Sequence, residues 1–139
     1  SFFVSQCVFN VDYAKKVVDD LCQTCREKRL SPPTIIFTLT ACGSLKTLHF
    51  MEWLGIHIPE NLKEDLKRDE RMLQKSVKVC LDIAAELTAY CAERCVPFGF
   101  NIESVAIRKE EIEASIDIVN RIGAMLTEKG IRKTGIMAV

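Results

Sequence analysis

The chain has 139 residues, of which 48% are hydrophobic and 27% are charged, so it can form one globular domain around its own core. Its 19 basic and 19 acidic residues balance to a formal net charge of zero, whereas a nucleic-acid-binding surface normally shows a basic excess. No apolar run reaches the roughly 18 to 20 residues that a membrane-spanning helix needs. The sequence therefore predicts a protein that binds neither nucleic acid nor a membrane.

The first third of the chain alternates strand and helix. Residues 2–9 are β-branched and aromatic with polar interruptions, which predicts a strand. Asn10 and Asp12 can cap a helix from Tyr13 to Lys28, where apolar residues recur at helical spacing. Residues 34–40 are almost continuously apolar or β-branched, so they predict a second strand that is buried on both faces.

The rest of the chain predicts four helices and one more strand. The helices are one that follows Gly43-Ser44 and runs to about Leu54, a short one that begins near Pro59, a long one from about Glu70 to Arg94, and a last one from Lys109 to Lys129. Residues 96–102 predict a third, short strand. Residues 133–139 show no readable structure and are interpreted as a C-terminal tail.

This alternation predicts an α/β fold. Strands separated by helices of such length need a parallel sheet with right-handed crossovers. Three strand–helix units are too few to close a barrel, which takes eight. The chain also enters an apolar strand directly at Phe2 and does not begin with Met, so we interpret it as a piece of a larger protein.

The seven cysteines are an odd number, which argues against a closed set of disulfides and predicts a reducing, cytoplasmic compartment. The spacing of Cys22-x-x-Cys25 and of Cys91-x₃-Cys95 invites a zinc interpretation. Both pairs fall within or at the end of predicted amphipathic helices, whereas zinc-binding cysteines usually lie in turns. Packing in the core is therefore the favoured interpretation, and we expect no metal site.

Several short segments, in the same order and at similar spacing, resemble the methylenetetrahydrofolate reductase family. The similarity covers roughly Phe2 to Leu126. The matching segments are Phe3–Phe9 with its Ser5-Gln6 pair, similar to the sixth barrel strand of the family, Pro33–Leu39, similar to the seventh, the helix that ends in Gly55-Ile56-His57-Ile58-Pro59, and Val96–Asn101, similar to the eighth strand. The resemblance implies the C-terminal part, strands six to eight, of a (β/α)8 TIM barrel. Residues 1–132 would then be a partial TIM-barrel reductase domain, followed by the tail at 133–139.

The same resemblance implies an FAD-dependent oxidoreductase. In such an enzyme NADH or NADPH passes a hydride to FAD, and the reduced flavin passes it to 5,10-methylenetetrahydrofolate, giving 5-methyltetrahydrofolate. FAD would be held mainly by upstream residues that this chain lacks, and this chain would contribute the side of the site that binds the folate and the nicotinamide. We expect no catalytic residue in this chain, which alone should be inactive. The alternative left open is a non-catalytic, degenerate barrel relative that acts as a partner or regulatory module. In either case the protein could form a homo-oligomer.

Two candidate substrate contacts come from family positions. Gln6 stands where the family has its site glutamine, and a neutral amide can both donate to and accept from a pterin or a carboxamide. Strand alternation places Gln6 on one side with Val4 and Val8, and a satisfied core amide is the other interpretation. Phe50 lies nine residues before Pro59, as the ligand-contacting phenylalanine of the family does. Its ring could stack on a pterin, or it could simply belong to the core.

Two further candidates are charged residues. Lys46 occupies the position of a glutamine that contacts folate in some members, and a solvated helix lysine is its other interpretation. Glu103 follows the third strand, at the end where barrel enzymes keep their sites. The arginine that aids the folate tail in the family has no counterpart in residues 101–105, and Arg108 lies three residues further on.

Overall fold

The computed structural model describes residues 1–131 and the backbone of residues 136–138. These residues form five α-helices and a sheet of four strands. The elements are β1 (Phe2–Cys7), α1 (Val11–Lys28), β2 (Thr34–Thr40), α2 (Leu45–Trp53), α3 (Glu60–Arg68), α4 (Met72–Glu93), β3 (Phe98–Glu103), α5 (Lys109–Glu128) and β4 (Ile136–Ala138). The predicted order of strands and helices up to α5 is confirmed. The tail, in contrast, contains a strand that the sequence did not predict.

The sheet is parallel, and its strands follow chain order, β1-β2-β3-β4. The pairing of β2 with β3 is regular from Ile35 and Phe98 to Thr40 and Glu103. Residues in register lie on the same face of a parallel sheet, so this pairing fixes which side chains can meet.

The expectation of a partial TIM barrel is wrong. The chain forms a small α/β domain with an open parallel sheet and five helices, and nothing in the described residues forms part of a barrel. The error has a physical source, because alternating strands and helices require only parallel pairing with crossovers. Closure depends on the tilt and stagger of the whole sheet, which local sequence patterns do not specify.

The helix ends are fixed by local residues, among them the predicted cap Asn10. The Asn10 side chain accepts a hydrogen bond from the Tyr13 amide at 3.0 Å, and Ser44 Oγ accepts one from the Thr47 amide at 3.1 Å. Gly55 follows α2 with φ of +84°, a left-handed conformation that glycine adopts without a steric penalty. These local signals explain why the helix boundaries could be predicted closely.

One core cluster lies between the sheet and a layer formed by α1, α4 and α5. The strands contribute Leu39 and Phe100, both fully buried, and the helices contribute residues such as Val18, Leu87 and Ile122. Cys91 belongs to this cluster and Cys22 packs against it, whereas Cys95 is exposed. Among the described residues, no group of three His, Cys, Asp or Glu side chains could hold a metal ion.

A second cluster covers the carboxyl ends of the strands. It joins residues that follow β1 and β2, such as Phe9 and Cys42, to Leu48 of α2 and Leu66 of α3. This cluster holds α2 and α3 over the edge of the sheet where open α/β folds bind their ligands. Within the described ranges, no helix is both long enough and apolar enough to cross a membrane.

Candidate functional site

A row of polar side chains crosses the sheet near the carboxyl ends of its strands. Cys7 of β1 is in register with Thr38 of β2, and Thr38 is in register with Asn101 of β3. The neighbouring residues Phe37 and Phe100 belong to the core under the helices. Because successive side chains of a strand alternate between faces, the polar row lies on the face opposite to α1, α4 and α5.

An irregularity in β1 decides which residue joins this row. The register shifts between Val4 and Cys7. The Ser5 hydroxyl accepts a hydrogen bond from the Thr38 amide at 3.0 Å. Val4 aligns with Ile36 on the face of the polar row, whereas Val8 packs in the core under the helices. The predicted alternation of Val4, Gln6 and Val8 on one side is therefore wrong, because the bulge inserts a residue and moves Cys7 into the row.

Asn101 is the most constrained member of the row. Its side-chain Nδ2 donates to Glu103 Oε1 at 2.8 Å and to Thr38 Oγ1 at 3.3 Å. Because an ionised carboxylate only accepts hydrogen bonds, the Nδ2 end of the Asn101 amide has to face Glu103. Asn101 is 3% exposed, and its Oδ1 is buried without a hydrogen-bond partner in the described part of the chain. Burial and the nearby Glu103 charge raise the pKa of the Cys7 thiol to about 11, so Cys7 is a neutral member of the polar row.

A pocket of about 500 Å³ opens beside the ends of β2 and β3. We call it the loop pocket. It is lined by Ser44, Lys46, Thr47, Phe50, Val105, Ala106, Ile107 and Arg108, which come from α2 with its N-cap and from the loop between β3 and α5. It lies at the carboxyl ends of parallel strands, the usual place for a ligand in this class of fold.

The loop pocket combines an aromatic surface with two cations. Phe50 is 42% exposed and stacks on Trp53, with ring centroids 5.8 Å apart and planes inclined by 16°. Lys46 and Arg108 are both exposed. Across residues 1–131, neither of these two side chains forms an ion pair. Such a pocket suits a flat ligand that carries negative charge.

The buried carboxylate of Glu111 connects the two segments that line the loop pocket. Glu111, in the first turn of α5, is 2% exposed and accepts the Thr47 hydroxyl at 2.9 Å. The Thr47 hydroxyl also lies 3.0 Å from that of Ser44, the N-cap of α2. Gly43 leaves little free space here, because a Cβ at that position would lie 3.1 Å from Glu111 Oε1. The contact ties the start of α2 to the start of α5.

Thr47→Val is expected to destabilise the fold by about 1 to 3 kcal/mol, because it leaves the buried Glu111 carboxylate without its hydroxyl donor. Thr88→Val is the matched control. The Thr88 hydroxyl is buried with no partner in the described residues, so its removal should be neutral or stabilising. Urea denaturation of both variants measures the difference, and equal effects would contradict the proposed role of Thr47.

The structure brings together only some of the predicted substrate contacts. Lys46 and Phe50 share the loop pocket, while Glu103 belongs to the polar row through Asn101. Gln6 is exposed and lies apart from the pocket that holds Lys46 and Phe50. Sequence reasoning did not select Asn101, although a polar residue between Phe100 and Ile102 in a strand was an available signal.

Gln6 lines a different, largely apolar groove of about 610 Å³. We call it the β1 groove. It runs between β1 and α1, and its walls include the exposed side chains of Phe3, Tyr13 and Val17. The loop pocket differs from the β1 groove because it combines two cations, Lys46 and Arg108, with the partly exposed ring of Phe50, so the loop pocket and the polar row form the better candidate site.

Comparison with known proteins identifies a similar solved structure. No protein-family model and no curated protein matches the chain. A solved structure superposes with a TM-score of 0.83 and 47% sequence identity over 89% of this chain. It is described as an uncharacterized protein from Clostridium thermocellum that binds two copies of 5-methyl-5,6,7,8-tetrahydrofolic acid. The chain spans 44% of the length of that protein.

Proposed function

We propose that the chain binds a reduced folate of the 5-methyltetrahydrofolate type at the carboxyl ends of its strands. The observation that carries this proposal is the 47% identity to a structure that binds 5-methyl-5,6,7,8-tetrahydrofolic acid. The site described above supports it, because the loop pocket and the polar row both lie near the carboxyl ends of the strands and offer matching chemistry.

The chemistry of the ligand fits the groups on offer. A reduced pterin presents its 2-amino group and ring N–H groups as donors, and the half-buried Glu103 carboxylate is an acceptor. Asn101 orients that carboxylate with its own Nδ2. The ring of Phe50 provides a flat apolar surface for the pterin or the aminobenzoyl ring. In this proposal Gln6 is a predicted contact that the geometry of the loop pocket does not use.

Titration calorimetry of the protein with 5-methyltetrahydrofolate tests the proposal. We expect saturable binding with a negative heat-capacity change, the mark of apolar surface removed from water. NADH in place of the folate is the control, because it shares aromatic and anionic character but lacks the pterin. The absence of saturable heat at folate concentrations up to roughly 1 mM would contradict the proposal.

Reductase activity is a separate proposal, and it is supported by the resemblance of residues 2–126 to methylenetetrahydrofolate reductases. FAD, if bound, would supply the hydride-transfer chemistry between the nicotinamide and the folate. In this proposal the start of α2 does not hold the FAD pyrophosphate. The start of α2, where such a group could bind, is filled by the buried Glu111 carboxylate against Gly43 and Thr47. FAD and NAD(P)H therefore belong, in this proposal, to residues outside this chain.

Absorbance of the protein after mixing with FAD and gel filtration tests this division. We expect no flavin to co-elute with the chain, whereas 5-methyltetrahydrofolate should still bind. Stoichiometric flavin retention would contradict the assignment of the cofactor to other residues.

A further inference from the structure

We propose that Cys22 and Cys95 form a reversible disulfide when the protein reacts with hydrogen peroxide. The two residues belong to the pairs Cys22-x-x-Cys25 and Cys91-x₃-Cys95, whose spacing invited a zinc interpretation. Both lie where α1 and α4 end, just before β2 and β3 begin. This is the edge of the sheet opposite to the loop pocket, so the disulfide is independent of folate binding.

The packing of α1 on α4 brings the two cysteine pairs to one place. Three contacts show that the helices run side by side, with partners 71 to 75 positions apart in the chain. These contacts are Lys15 with Glu86, Asp19 with Tyr90 at 2.6 Å, and Asp19 with Arg94 at 2.9 Å. Cys22 lies one helical turn after Asp19, so the same offset places it opposite residues 93–97, which include Cys95.

The two thiols share one cavity. A pocket of about 520 Å³, which we call the cysteine pocket, is lined by Cys22, Cys25 and Cys95. The end of α4 folds back on itself, because the Val96 amide donates to the Cys91 carbonyl at 3.0 Å. Burial raises the pKa of Cys91 to about 12, and a nearby Cys22 thiolate adds to this rise. Cys22 and Cys95 are therefore both neighbours of Cys91.

Exposure separates this pair from the other cysteines of the chain. Cys95 is exposed and Cys22 is half-buried. Four cysteines are buried, namely Cys25, Cys42, Cys80 and Cys91. Cys7 is also half-buried, but it lies in the polar row at the other edge of the sheet, and its pKa is raised to about 11. A thiolate is the nucleophile in cysteine chemistry, so buried neutral thiols react poorly and Cys22 and Cys95 should react first.

A dithiol explains the cysteine pocket better than a metal site does. Across residues 1–131, no group of three His, Cys, Asp or Glu side chains could hold a metal ion. Cys25 and Cys91 are accounted for by packing, since both are buried hydrophobic residues. The two accessible cysteines that remain are the number that a disulfide needs and fewer than a zinc site needs.

The reaction takes place in two displacements. The Cys95 thiolate attacks one oxygen of hydrogen peroxide, the O–O bond breaks, and hydroxide leaves, so Cys95 becomes a sulfenic acid. The Cys22 thiolate then attacks the Cys95 sulfur, the S–O bond breaks, and a second hydroxide leaves. The two thiol protons convert both hydroxides to water. Two thiols are thus oxidised to one disulfide, while one hydrogen peroxide is reduced to two waters.

Treatment of the folded protein with a small molar excess of hydrogen peroxide tests the proposal. We expect the free thiols to fall from seven to five per chain and a tryptic peptide that joins Cys22 to Cys95 to appear. Dithiothreitol should restore all seven thiols. The disulfide closes a long loop, so the urea midpoint should rise on oxidation and return on reduction.

Three variants assign the roles of the cysteines. Cys22→Ser should leave a sulfenic acid on Cys95 that dimedone traps, because the second displacement is removed. Cys95→Ser should lose the rapid reaction with peroxide. Cys25→Ser is the control, because Cys25 lines the same pocket but is buried, and it should still lose two thiols. Cys95 is exposed, so its replacement by Ser should not disturb folding.

Four outcomes would overturn the proposal. These are seven free thiols after treatment of the wild type, a disulfide that contains Cys25 or Cys91, a disulfide that joins two chains through Cys95, and formation of the Cys22–Cys95 pair no faster in the folded protein than in urea. The last outcome would mean that the fold does not hold the two thiols together. None of these outcomes bears on the proposed folate binding, which titration calorimetry tests separately.

Discussion

Phe50→Ala is expected to weaken 5-methyltetrahydrofolate binding by roughly five- to a hundredfold, the range found when an aromatic stacking partner is removed. Phe50 is partly exposed in the loop pocket and is held in place by its stacking on Trp53. One face of the Phe50 ring is therefore available to a flat ligand, while stacking on Trp53 fixes the orientation of the ring. Truncation removes the contact and leaves the charged groups of the pocket unchanged.

Trp53 makes this measurement direct. It is the only tryptophan of the chain, so its intrinsic fluorescence reports on the ring that it touches. A fluorescence titration of the wild type with folate should show a saturable change, and calorimetry should provide the affinity of Phe50→Ala. Tyr13→Ala is the control, because Tyr13 is an exposed aromatic residue of the β1 groove. If Tyr13→Ala lost binding and Phe50→Ala did not, the ligand would bind in the β1 groove.

Phe100→Ala is expected to destabilise the fold by about 3 to 5 kcal/mol, the cost of removing a large aromatic side chain from a close-packed core. Phe100 is fully buried and lies 5.8 Å from the ring of Phe98 and 6.2 Å from that of Phe37. Domains of this size have a total stability of about 5 to 15 kcal/mol, so this one change removes a large share of it.

Urea denaturation measures this loss as a shift of the midpoint at unchanged slope. Phe2→Ala is the matched control, because Phe2 is 63% exposed and its truncation should change the free energy of unfolding by less than about 0.5 kcal/mol. A loss below about 1 kcal/mol for Phe100→Ala would mean that the core can collapse around the missing ring.

The local parts of the fold could be predicted from sequence because their signals are local. The bounds of β2 at Thr34–Thr40 follow from an apolar run that begins directly after Pro33, and those of α1 follow from the cap at Asn10. The bulge in β1 could not be predicted in this way. It depends on the Ser5 hydroxyl meeting the Thr38 amide, which is a contact between residues far apart in the chain. Local sequence patterns could likewise not predict that the sheet stays open, because closure depends on the tilt and stagger of all its strands.

In the candidate site, too, some residues could be placed by local spacing and others only by the fold. Lys46 and Phe50 are four residues apart on α2, so helical spacing alone brings them to one face and into one pocket. Arg108 shares that pocket only because the loop after β3 returns to α2, and no spacing rule predicts such a return. The resemblance led us to expect an arginine within residues 101–105, and the sequence has none there. The fold brings Arg108 into the lining of the loop pocket instead.

The order of the strands has a consequence for how the chain folds. Pairing of β1 with β2 has to close over α1 alone, whereas pairing of β2 with β3 has to close over α2, α3 and α4. The entropy lost on closing a loop grows with its length, and pairings distant in sequence form slowly. The β1–α1–β2 unit should therefore assemble first. Until β3 arrives, the free edge of β2 and the apolar side of α4 stay open to other unfolded chains, so refolding yield should fall as protein concentration rises.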